Sequence, residues 1–160
     1  MPILPIDTGR YGTPEMLKIF EEENRVQKLL DVEAALALAH AEVGNIPKKD
    51  AEKIAAMAST KFVKVERVKV IEKEIKHDIA SLVRALSEVC GSSGAYVHLG
   101  ATSYDIVDTA NALQLKDALG LIEKKLVDLK GILKKQASQH KETVMIGRTH
   151  GQRFADYFGL

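Results

Sequence analysis

The feature that most constrains the fold is a long periodic run of aliphatic residues in the second half of the chain. They recur at alternating steps of four and three: Leu115, Leu119, Ile122, Leu126, Leu129 and Leu133. This period of 3.5 is typical of a helix that packs nearly parallel to other helices in a bundle. From Ser103 to His140 the pattern predicts one helix of about 55 Å. Other long helices must cover such a stripe, from further sequence or from other subunits, so we expect an oligomer.

The chain before this helix is also predicted to be helical. Thr13-Pro14-Glu15 is a helix start, with a hydroxyl cap, a proline and an acid in the first turn. Residues 14–43 are rich in helix formers and form one helix or two. The predicted apolar stripe of this segment consists of Leu29, Val32, Ala35, Leu36 and Ala39.

Two further helices are predicted, one short from Pro47 to near Ser59 and one long from Val65 to Cys90. Residues 91–94 should form a loop, 96–100 an extended segment, 144–146 a short strand and 147–152 a polar turn. The predicted fold class is all-α. An N-terminal helical domain over 1–102 precedes the first long helix of an interrupted helical bundle over 103–160.

Composition excludes several classes of protein. There are 23 basic and 22 acidic residues, interspersed along the chain, and the net charge is +1. This balance predicts no general attraction to nucleic acid or to a membrane surface. The single cysteine, Cys90, and the lack of a signal-peptide pattern favour a cytoplasmic protein.

The five histidines are His40, His77, His98, His140 and His150, and none belongs to a metal-ligand pattern, so no metal site is predicted. His40 and His140 lie in charged helical surroundings typical of structural or solvent-facing residues. His77-Asp78 resembles a surface ion pair in the middle of a helix. His98 reads as a half-buried loop histidine. His150 is the best acid–base candidate, because glycines on both sides of its turn allow close approach of a ligand.

Two other clusters could bind anions. Thr102-Ser103 begins the long helix, and the free backbone N–H groups of a helix start suit a carboxylate or a phosphate. Arg10-Tyr11 could donate together to a phosphate. Each cluster also has a plainer interpretation. Thr102-Ser103 could be only a helix cap, and Arg10-Tyr11 only a structural pair.

Taken in order, these clusters resemble the motifs of the adenylosuccinate lyases, members of the fumarase/aspartase superfamily. The matching segments are Arg10-Tyr11, Lys76-His77-Asp78, the block from His98 to Ala110 that contains Thr-Ser-x-Asp-x-x-Asp-Thr, and Gly147-Arg148-Thr149-His150-Gly151-Gln152. The resemblance covers residues 3–152, and these residues are similar to the N-terminal part of these enzymes. It implies elimination of fumarate from adenylosuccinate, giving AMP, and from the succinylated aminoimidazole carboxamide ribonucleotide of purine biosynthesis.

The resemblance also implies a role for each cluster. Catalytic roles fall to His150, as the acid that protonates the leaving nitrogen, and to His77. Substrate-binding roles fall to Arg10, Tyr11, Asp78, His98, Thr102, Ser103, Thr149 and Gln152. Arg10 and Tyr11 would hold the nucleotide phosphate, while Thr102 and Ser103 would bind a succinyl carboxylate. No cofactor or metal is implied, the partner is the small-molecule nucleotide, and the family assembles as a homotetramer.

The chain departs from the family pattern in two ways. The family's catalytic base is a serine on a mobile loop far beyond residue 160, so the chain alone is expected to be inactive. After Gln152 the family continues with His-Ala-x-Pro, whereas this chain reads Arg153-Phe154-Ala155-Asp156. The alternatives are a non-catalytic helical oligomerisation module, or another lyase of the superfamily such as argininosuccinate lyase.

Overall fold

The computed structural model describes residues 10–149 and 152–156, with side chains for residues 10–144. These residues form six α-helices, one short 3-10 helix and a two-stranded antiparallel hairpin. The elements are α1 (Pro14–Phe20), α2 (Glu22–Glu42), α3 (Lys48–Met57), α4 (Val65–Ile75), α5 (Asp78–Cys90), the 3-10 helix Gly91–Tyr96, α6 (Ser103–His140), β1 (Met145–Thr149) and β2 (Gln152–Asp156). The predicted all-α class is confirmed, with the hairpin as a small addition.

The chain divides into two compact units, residues 1–118 and residues 119–160. The first unit holds the hydrophobic core, in which α2, α3, α4, α5 and the start of α6 contribute aliphatic side chains. Its largest fully buried apolar members are Leu30, Ile54, Ile71, Ile79, Leu82, Leu86, Ile106 and Val63. No helix in the described ranges has the length and apolar character that crossing a membrane requires.

The segment over residues 14–43 forms two helices, α1 and α2, which meet at the extended residue Glu21. Thr13 caps α1 as predicted, since its Oγ1 accepts from the Met16 N–H at 3.4 Å. The predicted apolar stripe of α2 is wrong in register. The buried residues are Val26, Leu29, Leu30, Glu33 and Ala37, whereas Ala35 and Ala39 are exposed. A charged residue therefore stands inside the core-facing stripe.

The single helix predicted from Val65 to Cys90 is wrong, because the chain breaks between Ile75 and Asp78. Lys76 adopts the left-handed conformation, with φ of 56°, and its N–H donates to the Glu72 carbonyl. His77 is extended and caps α5, with its Nδ1 accepting from the Ala80 N–H at 3.3 Å. A left-handed residue followed by a side-chain cap ends one helix and starts the next. His77 is therefore a helix cap and not a mid-helix residue.

Residues 91–100 also differ from prediction. Gly91–Tyr96 is a 3-10 helix, and a turn follows in place of an extended segment. Gly94 packs so closely on the Ser87 backbone that an added Cβ would lie 2.5 Å from the Ser87 carbonyl oxygen. His98 and Gly100 both have positive φ, 63° and 69°. These two residues reverse the chain direction just before α6 begins.

The long helix α6 has the predicted limits, Ser103–His140. The buried residues of α6 lie in its first part and do not belong to the predicted stripe; they are Ile106, Ala110, Gln114 and Ala118. Gln114 Nε2 donates to the Ile19 carbonyl at 2.8 Å. The stripe residues stay exposed, between 44% for Ile122 and 63% for Leu119. The hairpin pairs Met145 with Asp156 and Thr149 with Gln152, so part of the predicted turn 147–152 is strand.

Candidate functional site

A buried pair formed by Glu33 and His98 lies at the centre of the candidate site. Glu33 is 1% exposed, and its Oε1 lies 2.6 Å from His98 Nδ1. Burial raises the pKa of the Glu33 carboxyl, while the hydrogen bond and charge of His98 act in the opposite direction. Glu33 Oε2 is buried and accepts no hydrogen bond within the described residues. The His98 side chain keeps 19% of its surface exposed.

A second residue of α2, His40, holds the loop that contains His98. His40 Nε2 lies 2.8 Å from the Leu99 carbonyl oxygen, and its Nδ1 lies 2.9 Å from Asn45 Nδ2. A carbonyl oxygen can only accept, so His40 carries its proton on Nε2 and accepts from the Asn45 amide at Nδ1. Glu33 and His40 are seven residues apart, and two helical turns place them on one face of α2. Together they fix residues 98–100, and His40 has a structural role.

The start of α6 offers several hydrogen-bond donors. Asp105 Oδ2 accepts from the Thr102 N–H at 2.8 Å, which is the return contact of a capping box with Asp in place of Glu. The hydroxyls of Thr102 and Ser103 make no hydrogen bond within residues 10–149 and 152–156, and Thr102 is exposed. These hydroxyls, at the positive end of a helix of 38 residues, can receive an anion.

His77 and Asp78 lie at the junction of α4 and α5, and both are exposed. Asp78 Oδ1 accepts from the Ile79 N–H at 2.8 Å, and its Oδ2 lies 3.9 Å from Arg25 Nη2. His77 Nδ1 is 3.6 Å from Asp78 Oδ1. A ring nitrogen that accepts from the Ala80 N–H carries no proton, so this contact is not an ion pair, and each side chain instead bonds the first turn of α5. The cleft that reaches Asp78 and Arg25 has a volume of about 40 Å³, much smaller than a nucleotide pocket.

The remaining predicted residues lie at the edges of the described chain. Arg10 is exposed in a bend, and Tyr11 is 64% exposed. Thr149 ends β1 and Gln152 begins β2, and their side chains lie outside the described set. His150 itself lies outside the described residues. Its role as an acid therefore stays a prediction. In the described part of the chain, no cluster of three or more His, Cys, Asp or Glu residues could hold a metal ion.

The structure brings some of these residues together within the first unit. His98, Thr102 and Ser103 share one short segment whose loop is bonded to α2. Asp78, next to His77, contacts the same helix through Arg25. Arg25 and Glu33 are eight residues apart, so these two contact points on α2 are separated by about 12 Å along its axis. One helix therefore positions both groups of predicted site residues.

Sequence reasoning did not identify Glu33. The signal was a charged residue at a position that steps of three and four place with Leu29, Leu30 and Ala37. Because the predicted stripe includes only apolar residues, it leaves out Glu33, and its positions differ from those of the observed buried face. A carboxylate in the middle of a buried helix face is uncommon unless it has a partner, and this rule could have led to His98.

Comparison with known proteins gives one family. The family described as Lyase matches residues 9–155. Adenylosuccinate lyase from Pyrococcus abyssi is 62% identical over 152 residues, which cover 95% of this chain and 34% of that protein. N-acetyl-S-(2-succino)cysteine lyase from Dickeya dadantii is 39% identical over 147 residues, covering 91% of this chain and 32% of that protein. The chain thus spans about a third of the length of these relatives.

Solved structures agree with the sequence relatives. Fumarate lyase from Mesorhizobium sp. BNC1 superposes with a TM-score of 0.80 and 36% identity, over 89% of this chain and 35% of that one. The 3-carboxy-cis,cis-muconate lactonizing enzyme from Pseudomonas putida gives 0.80 and 38% identity, over 91% and 34%. With the family match extending across nearly all of its residues, the chain belongs to the lyase family of the fumarase/aspartase superfamily.

Proposed function

We propose that the chain contributes part of the active site of an adenylosuccinate lyase, which releases fumarate from adenylosuccinate and from the related succinylated aminoimidazole carboxamide ribonucleotide. The supporting observation is the start of α6, where the free hydroxyls of Thr102 and Ser103 stand next to a loop that Glu33 and His40 hold. The high identity to the Pyrococcus abyssi enzyme supports the choice of substrate.

The proposed reaction is a β-elimination. A base removes the proton from the carbon beside one succinyl carboxylate, and negative charge develops on that carboxylate. Donors fixed at the α6 start stabilise this charge, since the hydroxyls and the helix terminus are in place before the reaction begins. The carbon–nitrogen bond then breaks, and His150 is proposed to protonate the departing nitrogen. Fumarate and the amine are the products.

The resemblance supplies the other roles in this proposal. His77 shares the catalytic role, and Asp78 beside it binds substrate. Arg10 and Tyr11 hold the phosphate, and His98 contacts an anionic group of the substrate. Thr149 and Gln152 also bind substrate. By resemblance, the base is a serine outside these 160 residues, and a homotetramer in the cytoplasm completes the site. Neither metal nor cofactor takes part in the proposed steps.

The test uses a chimera of the Pyrococcus abyssi relative in which this chain replaces the 152 aligned residues. Release of fumarate is followed by absorbance with adenylosuccinate, argininosuccinate and N-acetyl-S-(2-succino)cysteine as substrates. We expect adenylosuccinate to be cleaved at a rate comparable to that of the unmodified relative. Faster cleavage of either other compound would contradict the proposed substrate. Robust cleavage by the 160-residue chain alone would contradict an external base.

Two threonines of the same segment provide a matched pair of variants. Thr102→Val removes a free hydroxyl at the α6 start and should lower kcat by about a hundredfold or more, the usual loss for one oxyanion donor. Thr109→Val is the control, because Thr109 Oγ1 already donates to the Asp105 carbonyl at 2.7 Å. Equal losses in the two variants would show that Thr102 acts only through helix stability.

A second function is favoured by one observation, the exposed stripe of α6. A non-catalytic module could associate through this stripe without cleaving any substrate. Such a module would form stable oligomers as the isolated chain, while the chimera would assemble but release no fumarate. The same absorbance assay therefore separates the two functions.

A further inference from the structure

The Glu33–His98 pair has a property that the proposed roles do not use. A proton on Glu33 Oε2 would be a buried donor without an acceptor among the described residues, so the protons are shared among Glu33 Oε1, His98 Nδ1 and His98 Nε2. The first two of these atoms share a hydrogen bond of 2.6 Å. Nε2 is the ring nitrogen that has no hydrogen-bond partner within the described part of the chain. The number of protons on the pair decides whether Nε2 donates or accepts.

Two protons leave the pair with no net charge. Either the carboxylate faces an imidazolium, or the carboxylic acid donates to Nδ1 of a neutral imidazole. In both arrangements Nε2 carries a proton. With a single proton, Glu33 is ionised, Nδ1–H donates to it, and Nε2 is a bare acceptor. That second state places a net negative charge on the pair.

Burial strongly disfavours the state with one proton. The Glu33 side chain is fully buried, and Oε2 accepts no hydrogen bond from any described residue. Among described residues, only His98 acts on the Glu33 carboxyl, through its ring and through its backbone N–H. An ionised carboxylate in these surroundings is stable only beside a cation, since removal from water costs several kcal/mol. Burial therefore favours the pair with two protons, in the same direction as the raised pKa of the Glu33 carboxyl.

We propose that Glu33 is a positioning residue that keeps His98 Nε2 protonated, so that this N–H donates to an anionic oxygen of the substrate. The backbone supports this assignment, because His98 has φ of 63°, a strained value for a residue other than glycine. The Glu33 contact holds it there, four residues before Thr102. The contact with substrate rests on the proposed function, whereas the protonation of Nε2 does not.

The first test is histidine NMR on the 160-residue chain labelled with ¹⁵N, with His98 assigned by His98→Asn. At neutral pH we expect the Nε2 signal of His98 to be that of a protonated nitrogen. In Glu33→Gln, the amide can accept from Nδ1–H, which leaves Nε2 bare, or donate to a bare Nδ1, which leaves the proton on Nε2, so the protonated fraction of Nε2 should fall. Glu42→Gln is the control, as Glu42 is exposed on the same helix.

A bare Nε2 in the unaltered chain overturns the proposal. The measurement on the unaltered chain decides the matter even if the variant fails to fold, which circular dichroism would reveal.

The second test identifies the anion, with inorganic phosphate and succinate as probes for the two oxygen anions that the substrate carries. The probe that shifts the Nε2–H signal of the unaltered chain shows whether the bound oxygen belongs to the phosphate or to a carboxylate of the substrate. Its dissociation constant should rise about tenfold or more in Glu33→Gln, as expected for loss of one charged hydrogen bond. If neither probe shifts the signal, either in the unaltered chain or in the chimera with the Pyrococcus abyssi relative, the substrate contact is refuted. Failure of adenylosuccinate cleavage in the chimera, with the NMR pattern intact, would refute only the proposed function.

Discussion

The exposed stripe of α6 allows a quantitative prediction about assembly. Leu126 is 59% exposed and Leu129 is 49% exposed, although both are aliphatic and lie on one face of the helix. Full burial of a leucine stabilises by about 1.5–3 kcal/mol, so covering the exposed half of each side chain should contribute about 1 kcal/mol or somewhat more. In a symmetric dimer each residue is present twice. The two leucines should therefore stabilise a dimer by about 3–6 kcal/mol.

The test is the double variant Leu126→Gln with Leu129→Gln. Since 1.4 kcal/mol corresponds to a factor of ten, the dissociation constant of the oligomer should rise by about a hundredfold to ten-thousandfold. Sedimentation velocity over a range of concentrations measures this change. The control is Lys124→Gln with Asp128→Asn, which leaves the net charge unchanged and lies on the opposite face of the helix.

The reasoning would be refuted if the double variant and the control gave the same dissociation constant. It would also be refuted if the unaltered chain stayed monomeric at every concentration while remaining folded, because the stripe would then be stable in water without a partner.

Three further predictions concern the first unit. Leu86→Ala should lower the free energy of unfolding by about 2–5 kcal/mol, since Leu86 is 0% exposed, and urea denaturation would measure this, with Leu115→Ala as the exposed control. Lys76→Gly should stabilise the chain or leave it unchanged, because Lys76 is left-handed, whereas Lys73→Gly within α4 should cost about 1 kcal/mol. Burial raises the pKa of Glu33 above 4.5, so its stabilising contribution is complete below pH 4.5 and is lost as the pH rises through the folded-state value. Glu33→Gln should therefore gain stability relative to the unaltered chain as the pH rises through the folded-state pKa of Glu33, and thermal melts that show the opposite trend would contradict this.

Local sequence patterns determined much of the secondary structure. The limits of α6, the cap at Thr13 and the short helix after Pro47 all follow from residue types within a few positions of each other. The apolar period likewise predicted that α6 would present a stripe, and that stripe is exposed in this chain. These features were predictable because hydrogen bonding and side-chain spacing within one helix decide them.

Tertiary structure decided the features that depend on distant residues. The break between α4 and α5 lies in a sequence with good helix propensity on both sides, and it appears only through the left-handed Lys76 and the His77 cap. The burial of Glu33 depends on His98, 65 residues away. Periodicity in one helix cannot reveal such a partner, because the charge is stabilised by a loop that folds back onto α2. The sequence by itself thus supplied the helices and the motifs, while packing determined which of their polar groups meet.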